Sequence, residues 1–254
     1  MELLKYDIGE EVIAFSTKRG SAESPYSGFN ITHYCGDSEQ HVKKCRKELC
    51  RFLQIADNNL ILPRQTHSCN IVNIDSDFMN KNPESQQDIL QGVDALITSL
   101  PQTCIGVSTA DCVPILLFDK EKRIAAAIHA GWRGTVERIT EASIDKIVDI
   151  YNSNTNNIKA IIAPSIGPEA FEVGDEVYDA FSMQGFPMKE IATRKEKWHI
   201  DLWKANKLQL LARGIHEKNI ETTGICTHTH HSDFFSARRL GINSGRIFNG
   251  IMIK

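Results

Sequence analysis

The segment 109–135, TADCVPILLFDKEKRIAAAIHAGWRGT, decides the fold of the chain around it. An apolar run precedes the charged residues 119–122 and another follows them, which predicts a β-hairpin with its turn at those residues. This turn places Phe118 opposite Arg123 and therefore predicts that Cys112 lies directly opposite His129. Opposed residues project from the same face of a sheet, with Cβ atoms ~4.5–5.5 Å apart.

One metal ion fits between such a thiol and imidazole, because Zn–S and Zn–N bonds are about 2.3 and about 2.0–2.1 Å long. This interpretation depends on the turn, since a slip of one residue sends the side chains to opposite faces. Alternatively, Cys112 is a small apolar core residue and His129 a hydrogen-bonded structural one. Asp111 beside Cys112, and the glycines around Trp132, favour a site because small residues permit close approach of a ligand.

Strands are predicted on both sides of this hairpin, and helices between them. Strands are expected at 11–17, on either side of RQTHSCN, at 93–99, 104–109, 113–119, 123–129 and 158–164, and in the tail 245–254. Helices are expected at 38–55, 134–150, 171–181 and 201–214, and the polar segment 77–92 is predicted to lie on the surface.

The first of these helices is predicted to begin after a capping Ser38 and to bury one face, formed by Val42, Cys45, Leu49, Phe52 and Leu53. The last is predicted to end at Gly214, where glycine suits a C-cap. No linker, low-complexity block or repeat divides the chain. These patterns predict one α+β domain over residues 1–254.

The composition is that of an ordinary globular protein, with 41% hydrophobic and 24% charged residues among 254. A net charge of -3 gives no basic surplus, so no nucleic-acid partner is expected. The seven cysteines lack a CxxC pair, which is typical of free thiols in a reducing compartment. No signal-peptide pattern and no apolar run of ~18–20 residues is present, so we expect a cytoplasmic protein without a membrane partner, monomeric or weakly homo-oligomeric.

Six blocks in sequence order resemble a known family. They are RQTHSCNIV, DALITS, STADCVPILLFD, IHAGWRGT, APSIGPEAFEVGDEV and DFFSARRLGINSGR. The chain resembles the laccase-domain (YfiH-like) proteins, first described as multicopper polyphenol oxidases and later characterised as zinc-dependent purine nucleoside phosphorylases. The resemblance implies a layered α/β/β/α fold, with central mixed and antiparallel β-sheets and helices outside them.

The resemblance also implies a metal site formed by His67, Cys112 and His129, with Cys112 and His129 catalytic. Zinc is the implied cofactor, and copper is the alternative. The implied reaction joins a purine nucleoside and inorganic phosphate, with adenosine deamination and methylthioadenosine cleavage as further activities. Three protein ligands leave a fourth position open, as in catalytic zinc sites, where the ion polarises an oxygen or lowers the pKa of bound water toward ~7.

Phosphate recognition requires cations or backbone donors, and guanidinium groups bind phosphate bidentately. The candidates in or beside the six blocks are Arg64, Arg133, Arg238 and Arg239. Some of them are expected to form structural ion pairs instead. The candidates for stacking on a purine are Trp132, Phe234 and Phe235, although aromatic residues beside a sheet also pack in cores.

Several positions depart from the family pattern. Ser21 replaces a glycine, Glu169 and Ala170 replace two cysteines, and Tyr34, preceded by His33, replaces a histidine. These changes leave the implied metal ligands intact and affect the substrate loops. The motif CTHTHH adds His228, His230 and His231, which would lie beside the site or in solvent; if that segment is extended, His228 and His230 share a face.

Three other functions compete with phosphorolysis. A copper polyphenol oxidase would use a His₂Cys site, but also needs a trinuclear copper cluster, for which nine histidines with one HxH element are too few. A Cys–His hydrolase acting in peptidoglycan precursor editing would use Cys112 as nucleophile and His129 as base. A non-enzymatic scaffold is the third, although an open three-ligand site is a poor structural element.

Overall fold

The structure is a computed structural model that describes residues 1–21 and 23–254. Its strands are β1 (Leu3–Tyr6), β2 (Val12–Thr17), β3 (Leu60–Ile61), β4 (Ile71–Ile74), β5 (Ala95–Thr98), β6 (Cys104–Thr109), β7 (Val113–Asp119), β8 (Ile124–Ala130), β9 (Ile158–Ile162), β10 (Glu172–Val173), β11 (Ala192–Arg194), β12 (Trp198–Ile200), β13 (Ile220–Thr222) and β14 (Ile247–Ile253). Its α-helices are α1 (Glu39–Leu53), α2 (Ser76–Met79), α3 (Pro83–Ile89), α4 (Trp132–Val136), α5 (Ile139–Tyr151), α6 (Asp175–Met183), α7 (Met188–Ile191), α8 (Leu202–Ala212) and α9 (Ala237–Leu240).

Two large sheets hold most of these strands. The five-stranded sheet has the order β1-β2-β14-β6-β3, and the six-stranded sheet has the order β13-β9-β7-β8-β5-β4. The pairs β3/β6, β4/β5 and β9/β13 are parallel, and the remaining pairs of both sheets are antiparallel. The strands β10, β12 and β11 form a small antiparallel sheet.

Strand β7 shows how the layers are built, because its alternate side chains point to opposite faces. Leu116 and Phe118 are buried in a cluster that also contains Ile105 of the five-stranded sheet, so the two large sheets pack against each other. Ile115 and Leu117 belong to a second buried cluster, which includes apolar residues of α5 and α8. Residues of α1 pack with the other face of the five-stranded sheet. The expected α+β fold with α/β/β/α layering is confirmed.

The hairpin of β7 and β8 forms as predicted, but in a different register. Asp119 pairs with Ile124, and Pro114 pairs with His129. The prediction that Cys112 lies directly opposite His129 is therefore wrong by two residues. A shift of two preserves the face from which each side chain projects, so both residues still approach one another at the open end of the hairpin.

The turn chemistry explains the shift. The carboxylate of Asp119 accepts hydrogen bonds from the backbone N–H groups of Glu121 (2.9 Å) and Lys122 (3.1 Å). Arg123 then closes the connection in the left-handed conformation, at φ +53°. Residues 120–123 therefore form the loop, and Asp119 becomes the last residue of the strand rather than the first of the turn.

Two predicted helices begin or divide differently. The helix expected at 134–150 is two helices, α4 and α5, because Arg138 adopts φ +62° and a left-handed residue interrupts an α-helix. The helix expected at 171–181 begins only at Asp175, after Gly174. The residues before it, Glu172 and Val173, form β10 and pair with β12.

Other predicted elements agree closely. The side chain of Ser38 caps α1 by accepting from the N–H of His41 at 3.2 Å, and Gly214 follows α8 with φ +82°. Phe52 does not belong to the buried face of α1, since it is 46% exposed. It lies at the edge of the apolar stripe, where the Lys5 ammonium is 5.2 Å from its ring centroid. In the described residues, no helix combines the length and apolar character that a bilayer crossing requires.

We predict that Phe118→Ala destabilises the protein far more than Phe52→Ala. Phe118 is fully buried between the two large sheets, so its truncation leaves a cavity and should cost about 3–5 kcal/mol. Phe52 is largely exposed, so its truncation should lower the free energy of unfolding by less than about 1 kcal/mol. Urea denaturation of the two variants beside the unmutated protein measures both values, and equal losses would contradict the inter-sheet core.

Candidate metal centre

The three predicted metal ligands lie together at one end of the hairpin. Cys112 directly precedes β7, His129 is in β8, and His67 is in the loop between β3 and β4. One ligand atom from each lies within 4.8 Å of the other two. The Sγ of Cys112 is 3.7 Å from Nε2 of His67, and the two imidazole rings are 4.9 Å apart between centroids. A sulfur and two nitrogens therefore converge from three separate parts of the chain.

Asp94, which directly precedes β5, holds the His67 loop in place. Its fully buried carboxylate accepts from the backbone N–H groups of Thr66 (3.2 Å), His67 (3.0 Å) and Ser68 (2.8 Å). The Ser68 hydroxyl donates to it as well, at 2.8 Å. These bonds stabilise a loop in which His67 itself has φ +64°, an uncommon conformation for a non-glycine residue.

The same carboxylate orients His129. Its Oδ1 is 2.6 Å from Nδ1 of His129, and the backbone N–H of His129 donates to the carbonyl of Asp94 at 2.7 Å. Burial opposes the charge of Asp94, but hydrogen bonds from His129 and Ser68 hold the pKa of that carboxyl below its usual value. Nδ1 of His129 is thereby paired with Asp94, which leaves Nε2 as the ring nitrogen that is available to a metal ion.

Asp94 is not among the site residues predicted from the sequence. The sequence feature that indicates its role is an acidic residue near the start of the otherwise apolar segment VDALITS. Burying such a charge without a partner would cost folding free energy, so a partner is expected. Gln65 was missed in the same way. Its amide donates to the carbonyl of Ser108 at 2.8 Å and accepts from the N–H of Ser108 at 2.7 Å, and so ties the His67 loop to β6.

The backbone before Cys112 is fixed by Asp111, which has φ +89°. The Asp111 carboxylate accepts from the hydroxyl of Thr227 and from the backbone N–H of Arg238, both at 2.7 Å. Its carbonyl accepts from the N–H of Ile166 at 2.9 Å. Three distant segments therefore stabilise an unfavourable backbone conformation next to the thiol, a pattern common at functional sites.

Gly131 allows the three ligands to approach one another. A Cβ at this position would lie 2.8 Å from Cδ2 of His67 and 3.2 Å from Sγ of Cys112. The first distance is shorter than any ordinary carbon–carbon contact, so a larger residue would displace His67. Glycine is thus needed at this position of the HAGW motif because the side chains of His67 and Cys112 leave no room for a Cβ, and not because of its backbone conformation, which has φ -63°.

The electrostatics of the pair Cys112 and His129 favour a thiolate. Burial alone would raise the pKa of the Cys112 thiol, but the charge and hydrogen bond of His129, with those of His67, lower that pKa to about 6. Burial alone would lower the pKa of His129, whereas Cys112 and Asp94 raise it to about 9. A sulfur that is deprotonated at neutral pH is the form that binds metals and attacks electrophiles.

Two cavities border the candidate ligands: His67 and Cys112 line both, and His129 lines only the smaller one. The larger, about 510 Å³, is mainly apolar and is lined by His67, Ala110, Asp111, Cys112, Trp132, Ile166, Phe171, Leu202, Ala237, Arg238 and Ile242. The smaller, about 300 Å³, is more polar and is lined by Tyr34, Cys35, Gln65, His67, Ser108, Thr109, Ala110, Cys112, His129, Ala237, Ile242, Asn243 and Arg246.

Of the four predicted phosphate-binding arginines, Arg238 alone lines one of these two cavities. Arg133 lines neither cavity, but its guanidinium lies 4.2 Å from the ring centroid of Trp132, which lines the larger one. Arg64 and Arg239 are exposed and line neither cavity. Arg246, which was not among the candidates, lines the smaller one.

The aromatic candidates divide between cavity and core. Trp132 lines the larger cavity, together with Phe171, which was not among the predicted stacking residues. Phe234 and Phe235 are buried in a cluster with Ile247 and line neither cavity.

The CTHTHH segment forms turns rather than an extended strand, so His228 and His230 do not share a strand face. Nδ1 of His230 is 3.0 Å from the carbonyl of Cys226, and the carbonyl of His231 accepts from Arg19 at 2.9 Å.

The positions that depart from the family pattern also have defined surroundings. Tyr34 lines the smaller cavity and donates from its hydroxyl to Gln65 at 3.0 Å, and burial raises its pKa to about 12. Glu169 forms an exposed ion pair with Lys195. Ser21 lies in a loop, where its carbonyl accepts from the Ser27 hydroxyl at 3.4 Å.

Comparison with known proteins identifies relatives along nearly the whole chain. A purine nucleoside phosphorylase of Bacteroides thetaiotaomicron is 45% identical over 92% of this chain and 88% of its own length. Adenosine deaminase RL5, from an unknown prokaryotic organism, is 44% identical over 100% of both chains. The crystal structure of YlmD from Geobacillus stearothermophilus superposes with a TM-score of 0.91 at 26% identity, covering 100% of this chain and 97% of that one.

The family model described as multi-copper polyphenol oxidoreductase laccase matches residues 12–254. A hypothetical protein YfiH from Bacillus licheniformis, with a TM-score of 0.89 at 29% identity over 99% of this chain and 96% of its own, shares the fold. The resemblance of the six sequence blocks is therefore confirmed. This chain belongs to the laccase-like, YfiH-type family of multi-copper polyphenol oxidoreductase laccases.

Proposed function

We propose that this chain is a zinc-dependent purine nucleoside phosphorylase, with residues 1–254 acting as one catalytic domain. The observation that carries the proposal is the convergence of His67, Cys112 and His129 beside a cavity of about 510 Å³. A relative at 45% identity is named a purine nucleoside phosphorylase. The substrates would be a purine nucleoside and inorganic phosphate, and the products a free base and ribose 1-phosphate.

The three side chains fit a zinc ion. One thiolate and two imidazoles are preferred zinc donors, and sites with three protein ligands keep a position open for chemistry. Asp94 occupies Nδ1 of His129, as the carboxylate of a carboxylate–histidine–zinc triad does. When bound, the ion would supply a Lewis acid and an acidified water or oxygen ligand at the junction of the two cavities. Copper remains the alternative metal, because imidazole and thiolate also suit that ion.

The chain's own residues would bind and orient the substrate. Trp132 and Phe171 give the larger cavity two aromatic walls, and such surfaces bind flat heterocycles. Cys112, proposed as catalytic together with His129, lines both cavities, whereas His129 lines only the smaller one. Arg238 supplies a cation at the rim of the larger cavity. Arg64, Arg133 and Arg239 stay candidates only for a substrate that extends beyond the two cavities.

Adenosine deamination and methylthioadenosine cleavage are proposed as further activities of the same pocket. The relative named adenosine deaminase RL5 is 44% identical over 100% of both chains. A single apolar pocket beside one metal site would accept adenosine for either reaction. The free cysteines, distributed over the described residues, agree with action in a reducing compartment, for which we propose the cytoplasm.

A polyphenol oxidase is the first alternative, because a His₂Cys set also suits copper. Within residues 1–21 and 23–254, the His67–Cys112–His129 group is the single cluster of three or more such ligands close enough to hold an ion. A trinuclear copper cluster would need several more histidines nearby. Oxygen consumption with a phenol after copper loading, at a rate comparable to nucleoside turnover, would favour the oxidase.

A Cys–His hydrolase is the second alternative, and one observation favours it. The lowered pKa of Cys112 beside His129 is typical of an activated cysteine nucleophile. Metal content separates the two interpretations, because a zinc-bound thiolate is a ligand and not a free nucleophile. Purified protein without metal, in which Cys112 is alkylated rapidly at neutral pH, would favour the hydrolase.

We predict that Cys112→Ser and His129→Ala each remove zinc binding and lower kcat/KM for inosine phosphorolysis by about 10³-fold or more. A metal at a catalytic centre contributes several kcal/mol to transition-state stabilisation, which corresponds to that factor. Elemental analysis and an assay with inosine, adenosine and methylthioadenosine, with and without phosphate, measure both effects.

Cys69→Ser is the matched control. Cys69 is also a half-buried cysteine, but it donates to the backbone carbonyls of Gly134 and Glu137, which a hydroxyl can equally do. This variant should retain zinc and activity. Full phosphorolysis by metal-free Cys112→Ser or His129→Ala would contradict the proposed function.

We further predict that Asp94→Asn lowers zinc affinity by about 10–100-fold, the usual effect of removing the hydrogen-bond partner of a metal-binding histidine. An amide has one acceptor oxygen in place of two, and its NH₂ would face the N–H groups of the His67 loop. Competition with a chromophoric chelator measures the affinity.

Asp119→Asn is the control for this experiment. Asp119 is a buried aspartate at the opposite end of the same hairpin, and it also accepts from backbone N–H groups. Its substitution should leave zinc affinity unchanged. An equal loss of affinity in both variants would mean that Asp94 acts through general stability and not by orienting His67 and His129.

A further inference from the structure

We propose that inorganic phosphate binds in the smaller cavity beside Arg246, while the purine base occupies the larger cavity on the other side of the metal ligands. This inference rests on the proposed function and adds the division of the two substrates between the two cavities. It also makes Arg246, rather than any of the four arginines expected from the sequence, the phosphate-binding cation.

The charges of the two linings differ in a way that separates the substrates. No aspartate or glutamate is among the described residues that line the smaller cavity, and Arg246 gives it a cation. The larger cavity contains Asp111, whose carboxylate accepts two hydrogen bonds at 2.7 Å. Phosphate, which carries between one and two negative charges at neutral pH, is repelled beside Asp111 and attracted beside Arg246.

Arg246 has no carboxylate partner among the described residues. Its Nη1 donates to the carbonyls of Ser244 (2.5 Å) and Gly245 (3.0 Å), and its Nη2 donates to the carbonyl of Ile242 (2.9 Å). These bonds fix the guanidinium at the cavity wall but leave its unit charge uncompensated. In contrast, the Arg138 guanidinium forms an ion pair with Glu141. A fixed, half-buried and unneutralised guanidinium is well suited to bind an anion.

The surroundings of Arg246 suit an oxyanion as well. Asn243, Ser108, Thr109, Gln65 and Tyr34 belong to the same lining. The hydroxyls of Ser108 and Thr109 bond to Thr32 and Asn249, and that of Tyr34 bonds to Gln65, so the exposed Asn243 is the lining residue whose amide remains available to an oxyanion. Phosphate oxygens accept hydrogen bonds from amide N–H groups and guanidinium groups, whereas the flat face of a purine ring cannot form such bonds.

The larger cavity has the opposite character. Trp132, Ile166, Phe171 and Leu202 provide apolar walls, which match the faces of a purine. Its cation, Arg238, is exposed and lies near a carboxylate: Nη1 donates to the carbonyl of Glu172 at 3.1 Å, and Lys197 and, to a smaller extent, Arg238 lower the pKa of the Glu172 carboxyl. Arg238 would therefore contact the nucleoside rather than capture phosphate.

The two cavities share the residues His67, Ala110, Cys112, Ala237 and Ile242. A nucleoside whose base lies in the larger cavity would thus present its ribose at the boundary, within reach of a phosphate in the smaller one. A phosphate oxygen forms the bond to C1′ as the bond from C1′ to the purine nitrogen breaks, and the bonding electron pair leaves with the purine. Hydrogen phosphate loses one proton and the departing purine gains one, so the step balances.

Arg246→Gln tests the inference. We expect the KM for phosphate in inosine phosphorolysis to rise at least tenfold, because a charge-assisted pair is lost, while the KM for inosine changes less than threefold. The Kd of inorganic phosphate for the zinc-loaded protein, measured by titration calorimetry without nucleoside, should rise by the same factor. Arg246→Lys keeps the charge and should recover most of the affinity for phosphate, although it loses the loop hydrogen bonds.

Two further variants make the result decisive. Arg238→Gln should raise the KM for inosine and leave the KM for phosphate unchanged, and Arg51→Gln, on the exposed surface of α1, should change neither. A raised phosphate KM in Arg238→Gln with none in Arg246→Gln would overturn the inference, as would equal losses in Arg246→Gln and Arg246→Lys. Phosphate binding that depends on Arg246 in a protein without phosphorolysis would instead contradict the proposed function alone.

Discussion

The buried carboxylate of Asp94 is the group on which the geometry of the candidate metal centre depends. It accepts hydrogen bonds from the backbone of the His67 loop and from Nδ1 of His129, and so positions two of the three proposed ligands. Placing a charge in a fully buried position is costly, and here five donors offset that cost. Such a network holds one arrangement of the loop and the strand, because any other arrangement leaves a buried charge without partners.

The fold explains why this network lies where two cavities meet. The six-stranded sheet is covered on both faces, by the five-stranded sheet and by α5 and α8, so its side chains are core residues along most of the hairpin. At the open end of the hairpin, the chain leaves the sheet at Cys112 and at Gly131, and reactive side chains can face solvent there. The two cavities differ in the charged residues that line them, and this difference is the basis on which we assign the two proposed substrates to separate sites.

Local pattern was sufficient to predict most strands, the capped helix α1 and the proximity of Cys112 and His129. It failed where side chains from distant parts of the chain decide the structure. The hairpin register depends on the carboxylate of Asp119 in the turn, which moved the pairing by two residues. The roles of Asp94 and Gln65 arise from contacts 27 and 43 residues away in sequence, and no periodicity indicates them. For the same reason, the position of Arg246 beside the metal ligands became apparent only in the folded chain.

X-ray absorption at the zinc edge of the purified, zinc-loaded protein tests the central claim most directly, because it counts the atoms bound to the ion. We expect one sulfur at about 2.3 Å and two imidazole nitrogens at about 2.0–2.1 Å, with the remaining position taken by a light atom. A spectrum without sulfur, or with two or more sulfurs, would show that Cys112, His67 and His129 do not hold the ion together.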